Sequence, residues 1–186
     1  MKQLIDYIKV YENILSKSEC DFILNEYKET DEWTDSTVKS LNNNIRKCQS
    51  IGISLDIVIN NNQIVRKNID QFLFQKVGNI ATKYTNTFQH SKSGVLSDTG
   101  YDLLRYTEGG FYKIHTDSCT ENPREFSMSI ILNDDYEGGE LAFFEKEYII
   151  KPTTGSVVVF PANFMYPHEV ITVKNGVRYA IVTWFV

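Results

Sequence analysis

The chain has 186 residues, 42% of them hydrophobic, and 19 Lys and Arg against 24 Asp and Glu give a formal net charge of −5. This length and apolar content suit one domain with a substantial core, and no apolar run is long enough to span a membrane. The acidic balance disfavours a general nucleic-acid binder, whose non-specific affinity comes from phosphate contacts, although an enzyme that meets a single base escapes much of that argument.

Met1-Lys2-Gln3-Leu4-Ile5-Asp6 does not read as a signal peptide, because an acid interrupts the apolar stretch almost at once. Cys20, Cys48 and Cys119 are odd in number and lack metal-type spacing, so reduced thiols in a cytoplasmic protein are expected. Ser16-Lys17-Ser18-Glu19 is a capping box, in which a hydroxyl and a carboxylate three residues later satisfy each other's free backbone donors. It predicts a helix over Lys17–Tyr27 that buries Cys20, Ile23, Leu24 and Tyr27. Residues 34–44 are polar and aperiodic between Trp33 and Ile45-Arg46-Lys47, and read either as a lid over a substrate or as a plain surface loop. A longer helix is predicted over Gln63–Thr87, where Ile69, Leu73, Val77, Ile80 and Tyr84 recur at three-to-four spacing as a core-facing stripe. His90 follows it with no partner in sequence and reads as an ordinary helix-end cation.

From Tyr101 the period changes to short strands divided by turn residues, at 101–107, 111–115, 126–133, 140–144, 148–151, 156–160, 168–173 and 177–186. Gly109-Gly110, Gly138-Gly139, Gly155 and Gly176 stand at the joints, where positive φ costs least. Eight such strands are the number a jelly roll uses to form two facing sheets. The expected fold class is α+β, a double-stranded β-helix (jelly roll) core with N-terminal helices bracing one sheet. Residues 1–186 then form a single domain, with 1–100 as helical support and lid region and 101–186 as the jelly-roll core.

Chemistry concentrates in the second part. Side chains two apart on a strand share a face, so His115 and Asp117 converge on one point, and a compact β fold can return His168 to it. Two imidazoles and one carboxylate leave three positions of an octahedron open, the arrangement of non-haem Fe(II) oxygenases. Ten residues after His168, across Lys174-Asn175-Gly176 read as a tight hairpin turn, Arg178 would stand on the neighbouring strand. Alternation places the small residues Ala180 and Val182 beside it. Its planar, always-charged fork suits a dicarboxylate that chelates iron at one end and meets Arg178 at the other. Taken singly, His115 with Asp117 could be a surface pair, His168 a core histidine and Arg178 an ion-pair partner; it is their joint occurrence that carries the reading.

The ordered series resembles a family, the Fe(II)- and 2-oxoglutarate-dependent dioxygenases, and within it the prolyl 4-hydroxylase-like branch. The motifs run through Tyr106-Thr107-Glu108-Gly109-Gly110-Phe111-Tyr112-Lys113-Ile114-His115-Thr116-Asp117, then Leu132-Asn133-Asp134-Asp135-Tyr136-Glu137-Gly138-Gly139-Glu140-Leu141, Phe160-Pro161, and Pro167-His168-Glu169-Val170 through Gly176-Val177-Arg178-Tyr179. A weaker echo lies at Val10 to Cys20. The resemblance is strong from Tyr101 onward and weak between Asp31 and Asn62.

The resemblance implies His115, Asp117 and His168 as iron ligands, with Fe(II) as metal, 2-oxoglutarate as co-substrate and ascorbate as a further candidate cofactor. The co-substrate's far carboxylate would lie on Arg178. Tyr106 reads either as a donor to that carboxylate or as a core aromatic. Tyr112 falls where relatives approach substrate, yet alternation puts it opposite His115 unless a bulge intervenes, while Lys113 would share the metal's face. Leu141 stands where relatives commonly carry threonine, which makes that wall more apolar. Retention of Asp117 argues for hydroxylation, since related halogenases lack this carboxylate. The expected reaction is hydroxylation of proline in a polypeptide, with succinate and CO2 released. The alternatives are the same chemistry on a nucleic acid or small molecule, or a non-catalytic 2-oxoglutarate-sensing jelly-roll module.

Overall fold

The computed structural model describes residues 1–36, 45–54, 63–88 and 97–186. Its chain order is β1 (Lys9–Tyr11), α1 (Lys17–Tyr27), β2 (Thr34–Asp35), β3 (Arg46–Lys47), β4 (Gln49–Gly52), α2 (Gln63–Thr87), β5 (Asp102–Tyr106), β6 (Phe111–His115), β7 (Phe126–Ile131), β8 (Leu141–Phe143), β9 (Tyr148–Ile150), β10 (Val157–Pro161), β11 (His168–Val170) and β12 (Arg178–Phe185). Helix α1 begins where its cap predicts: Ser16 Oγ accepts from the Glu19 N–H at 3.2 Å, and the Ser16 N–H donates to the Glu19 carboxylate at 2.7 Å.

Two antiparallel sheets face each other. The larger runs β1-β10-β7-β12-β5-β4-β2 and the smaller β3-β6-β11-β8-β9. The eight strands from β5 to β12 supply the jelly roll, and the N-terminal part adds strands at the sheet edges. That part is therefore less purely helical than its sequence suggests, because strands of two to four residues carry no detectable period and exist through their pairing.

Both helices lie on the outer face of the larger sheet. Ile69, Leu73, Val77, Ile80 and Tyr84 of α2 pack with Ile23 and Tyr27 of α1 against Leu103, Met128, Ile130, Val159 and Ile181. Leu24 is only partly buried at the edge of this cluster. Each fully buried aliphatic or aromatic side chain of this kind contributes about 1.5–3 kcal/mol, so this layer fixes the larger sheet as a rigid platform. The inner face of that sheet packs through Leu104, Val158 and Phe160 onto Leu141, Phe143 and Val170 of the smaller one. Strand β12 divides its residues between the two layers: Tyr179, Ile181 and Phe185 belong to the helix-side core. Arg178, Val182 and Trp184 line a cavity between the sheets.

Two expectations are corrected here. Residues 171–177 form no hairpin between neighbours; they cross from β11 in the smaller sheet to β12 in the larger, so His168 and Arg178 face each other across the sandwich. Strand β6 carries a bulge: His168 pairs with His115, while Val170 pairs with Tyr112, so three steps on β6 oppose two on β11. One extra residue inverts the alternation beyond it. Lys113 and Ile114 are consequently both exposed, and Lys113 does not share the face of His115.

Candidate active site

The three proposed ligands come together at the wall of an intersheet cavity of about 320 Å³. His115 ends β6, His168 opens β11, and their Cα register pairing sets the imidazole centroids 4.2 Å apart. Asp117 lies two residues beyond β6, in the loop, where it approaches both rings: its carboxylate oxygens are 3.4 Å from His115 Nε2 and 3.5 Å from His168 Nε2.

Backbone carbonyls fix the tautomers. His115 Nδ1 lies 2.8 Å from the Lys113 carbonyl, and His168 Nδ1 lies 3.1 Å from the Tyr166 carbonyl. A carbonyl can only accept, so each neutral ring carries its proton on Nδ1 and turns an Nε2 lone pair toward Asp117. Burial pushes His168 down to about 4 despite the pull of Asp117, which keeps its ring neutral at ordinary pH. Burial opposes the charge of Asp117, but His168, His115 and the Ser127 hydroxyl, which donates to it at 2.6 Å, together hold its carboxyl well below the usual range. One ligand atom from each residue lies within 4.8 Å of the others. Two lone pairs and an anion directed at one point are a donor set for a divalent cation, and imidazole with carboxylate suits Fe(II).

Arg178 stands across the cavity. It is only 2% exposed, and its Nε has no hydrogen-bond partner among the described residues. A buried, unsatisfied cationic donor is costly unless an anion meets it, so this atom fits the far carboxylate of 2-oxoglutarate. Its neighbour is Tyr106, paired to it across β5 and β12, with the guanidinium 5.2 Å from the ring centroid. Burial, reinforced by Cys48, pushes the Tyr106 phenol upward and keeps it a donor. The structure thus places Tyr106 in contact with the group expected to bind the co-substrate, although it is fully buried like any core aromatic. Gly139 makes room for this corner: at φ 68°, a Cβ there would sit 2.8 Å from the Tyr136 ring and 3.0 Å from Arg178 Cδ. Leu141 lines the cavity, so that wall is apolar.

The β6 bulge brings Tyr112 onto the face of His115. The two rings stack at 3.5 Å between centroids and 16° between planes, and the Arg46 guanidinium lies over the Tyr112 ring at 4.6 Å. Arg46 reaches this position because β3 pairs with β6, setting Arg46 opposite Tyr112. Arg124, just before β7, lies 3.8 Å from the Trp184 ring and donates to the Asp117 backbone carbonyl at 3.0 Å.

Sequence reasoning missed Arg46, Arg124, Ser127 and Trp184 as cavity residues. Trp184 was findable, since it continues the Arg178, Ala180, Val182 alternation. Lys151, an alternative to Arg178 by charge, turns instead to the Tyr136 carbonyl. Thr34 and Asp35 of the lid candidate pair with β4, while 37–44 fall outside the described residues, as does His90.

Residues 101–186 match the family model of the 2OG-Fe(II) oxygenase superfamily. The similar proteins include PKHD-type and prolyl hydroxylases, and the solved prolyl hydroxylases share the fold. A PKHD-type hydroxylase of Rippkaea orientalis is 34% identical over 122 residues, covering 60% of this chain and 54% of the relative. Human prolyl 3-hydroxylase 2 is 32% identical over 93 residues, covering 40% of this chain and 13% of the relative. The chain thus spans about half the length of the first relative and a small fraction of the second. Among solved structures, a Trichoplax adhaerens prolyl hydroxylase in complex with a hypoxia-inducible-factor peptide fragment superposes with a TM-score of 0.77 at 19% identity, covering 96% of this chain and 82% of that one. A Pseudomonas putida prolyl-4-hydroxylase gives 0.70 at 19% identity, covering 98% and 96%. At such identities the likeness is one of fold. No helix among the described residues is long and apolar enough to cross a membrane.

Proposed function

We propose that the chain is an Fe(II)- and 2-oxoglutarate-dependent dioxygenase that hydroxylates proline in a polypeptide. One observation carries the reading: two tautomer-locked Nε2 atoms and a carboxylate converge on one wall of a cavity, and a buried arginine with a free donor faces it from the other sheet. His115, Asp117 and His168 would hold the metal, and Arg178, with Tyr106 beside it, the far carboxylate of 2-oxoglutarate.

When bound, the iron and its co-substrate supply the oxidising power for C–H hydroxylation, with 2-oxoglutarate consumed to succinate and CO2. The chain's own groups do the rest. The carbonyls of Lys113 and Tyr166 hold the imidazoles in their metal-binding tautomers, Ser127 orients Asp117, and the apolar wall at Leu141, Phe160 and Val170 excludes water from the cavity. A proline ring suits that apolar wall, and the prolyl hydroxylases among the relatives support the choice of a polypeptide.

Incubating the Fe(II)-loaded protein with proline-rich peptides, single-stranded DNA and free amino acids, with succinate and product mass measured together, tests the substrate. The expected outcome is one added oxygen on peptidyl proline. Turnover confined to DNA or to a free metabolite would overturn the polypeptide assignment.

A further inference from the structure

The cavity holds more positive charge than the proposed chemistry uses. Arg46, Arg124 and Arg178 line it, against a single lining carboxylate, Asp117. The charges of Fe(II) and of the 2-oxoglutarate dianion cancel, so three guanidiniums against one carboxylate leave two positive charges uncompensated. In a chain of net charge −5 this local excess runs against the overall composition.

Arg178 faces the co-substrate; Arg46 and Arg124 have no such role. Neither forms an ion pair with a carboxylate among the described residues. Arg46 directs one N–H to Cys48 Sγ at 3.0 Å and Arg124 directs one to the Asp117 backbone carbonyl, so most of the five donors of each fork are uncommitted. Both line the same cavity, Arg46 over the Tyr112 ring at 4.6 Å and Arg124 over the Trp184 ring at 3.8 Å. Asp102, pointing inward from β5, also feels both arginines, yet burial keeps its carboxyl above the ordinary range and it lies outside the cavity lining. Counting it still leaves one positive charge.

We propose that the substrate is an acidic polypeptide segment, with a carboxylate side chain next to the proline received by Arg46 and Arg124. The inference rests on the dioxygenase reading above. A carboxylate is the planar acceptor that guanidinium forks match, and half-buried forks give it more than exposed ones. Nucleic-acid phosphate would meet the same two groups, but a nucleic-acid backbone needs a basic track beyond the cavity, which the acidic composition does not favour. A free amino acid offers its own α-carboxylate, and the test separates that source.

Labelled peptides centred on Asp-Pro-Asp, Asn-Pro-Asn and Lys-Pro-Lys are titrated into protein loaded with Mn(II) and 2-oxoglutarate, with binding read by fluorescence anisotropy. The same peptides, free proline and a single-stranded oligonucleotide are offered to the Fe(II) enzyme, with product read by mass. The acidic peptide should bind at least about tenfold more tightly than its amide counterpart, with the gap shrinking as salt is raised. Arg46→Gln and Arg124→Gln should narrow the gap, and the lysine variants should keep part of it. The peptide series alone decides if a variant fails to fold. Equal affinity and equal hydroxylation of all three peptides would overturn the acidic preference and leave the dioxygenase reading intact, as would preference for the lysine peptide. Tighter binding of the oligonucleotide, or turnover of free proline alone, would also overturn it. Acidic preference in binding with no peptide hydroxylated would uphold the recognition and overturn prolyl hydroxylation.

Discussion

The Tyr112 ring lies face to face with the His115 imidazole, 3.5 Å between centroids and 16° from parallel, although the two residues are three apart on one strand. The β6 bulge makes this possible, and with the Nδ1 bond to the Lys113 carbonyl it leaves His115 one orientation. Groups that orient a ligand typically change metal affinity by 10- to 100-fold when lost. Tyr112→Ala should therefore weaken Fe(II) binding about tenfold in anaerobic titration, and Tyr112→Phe should retain it. Equal affinity in the alanine variant would show that the stack is incidental.

Removing any one of His115, Asp117 and His168 by substitution with alanine should abolish Fe(II)-dependent turnover while circular dichroism stays native. The proposed metal site draws on three ligands, and two would not hold its geometry. Activity in any of the three variants would mean that the ligand set is misassigned.

Arg178→Ala should raise the 2-oxoglutarate requirement by about 10²-fold, since the co-substrate's carboxylate would lose its charged partner inside a buried pocket. Fe(II) affinity should change little. Gly139→Ala should raise the same requirement without removing any donor, because its Cβ would press on Tyr136 and Arg178. Unchanged half-saturation in Arg178→Ala would send the co-substrate elsewhere.

Stability should fall steeply in alkali. Burial pushes the phenols of Tyr27, Tyr84, Tyr101 and Tyr106 well above the ordinary value and the Cys20 thiol up to about 11. An acid whose folded pKa is raised stabilises fully below its unfolded pKa, about 10 for tyrosine, and loses that contribution as pH rises through the folded value. Spectrophotometric titration should show these tyrosinates appearing together with loss of structure above about pH 10. Their gradual ionisation in a folded chain would contradict the burial.

The two helices were legible because their signals are local: a capping box starts α1, and an apolar stripe marks the buried face of α2. The eight jelly-roll strands were legible from turn residues and alternation. What escaped depends on pairing. The bulge that rotates Tyr112 toward His115 exists only relative to β11, and the passage of 171–177 between sheets looks like a hairpin in sequence because both end in a glycine turn. Arg46 belongs to a strand of two residues and becomes a cavity residue only through β6. Arg124 sits in a loop, where no period marks direction.

Succinate formation from 2-oxoglutarate by the Fe(II)-loaded chain in air, compared with His168→Ala and Arg178→Ala, tests the central claim most directly. The account predicts succinate in the wild type, none above background in His168→Ala, and recovery in Arg178→Ala only when 2-oxoglutarate is raised about 10²-fold. Succinate at equal rates in all three, or in none with any proline-containing peptide present, would contradict it.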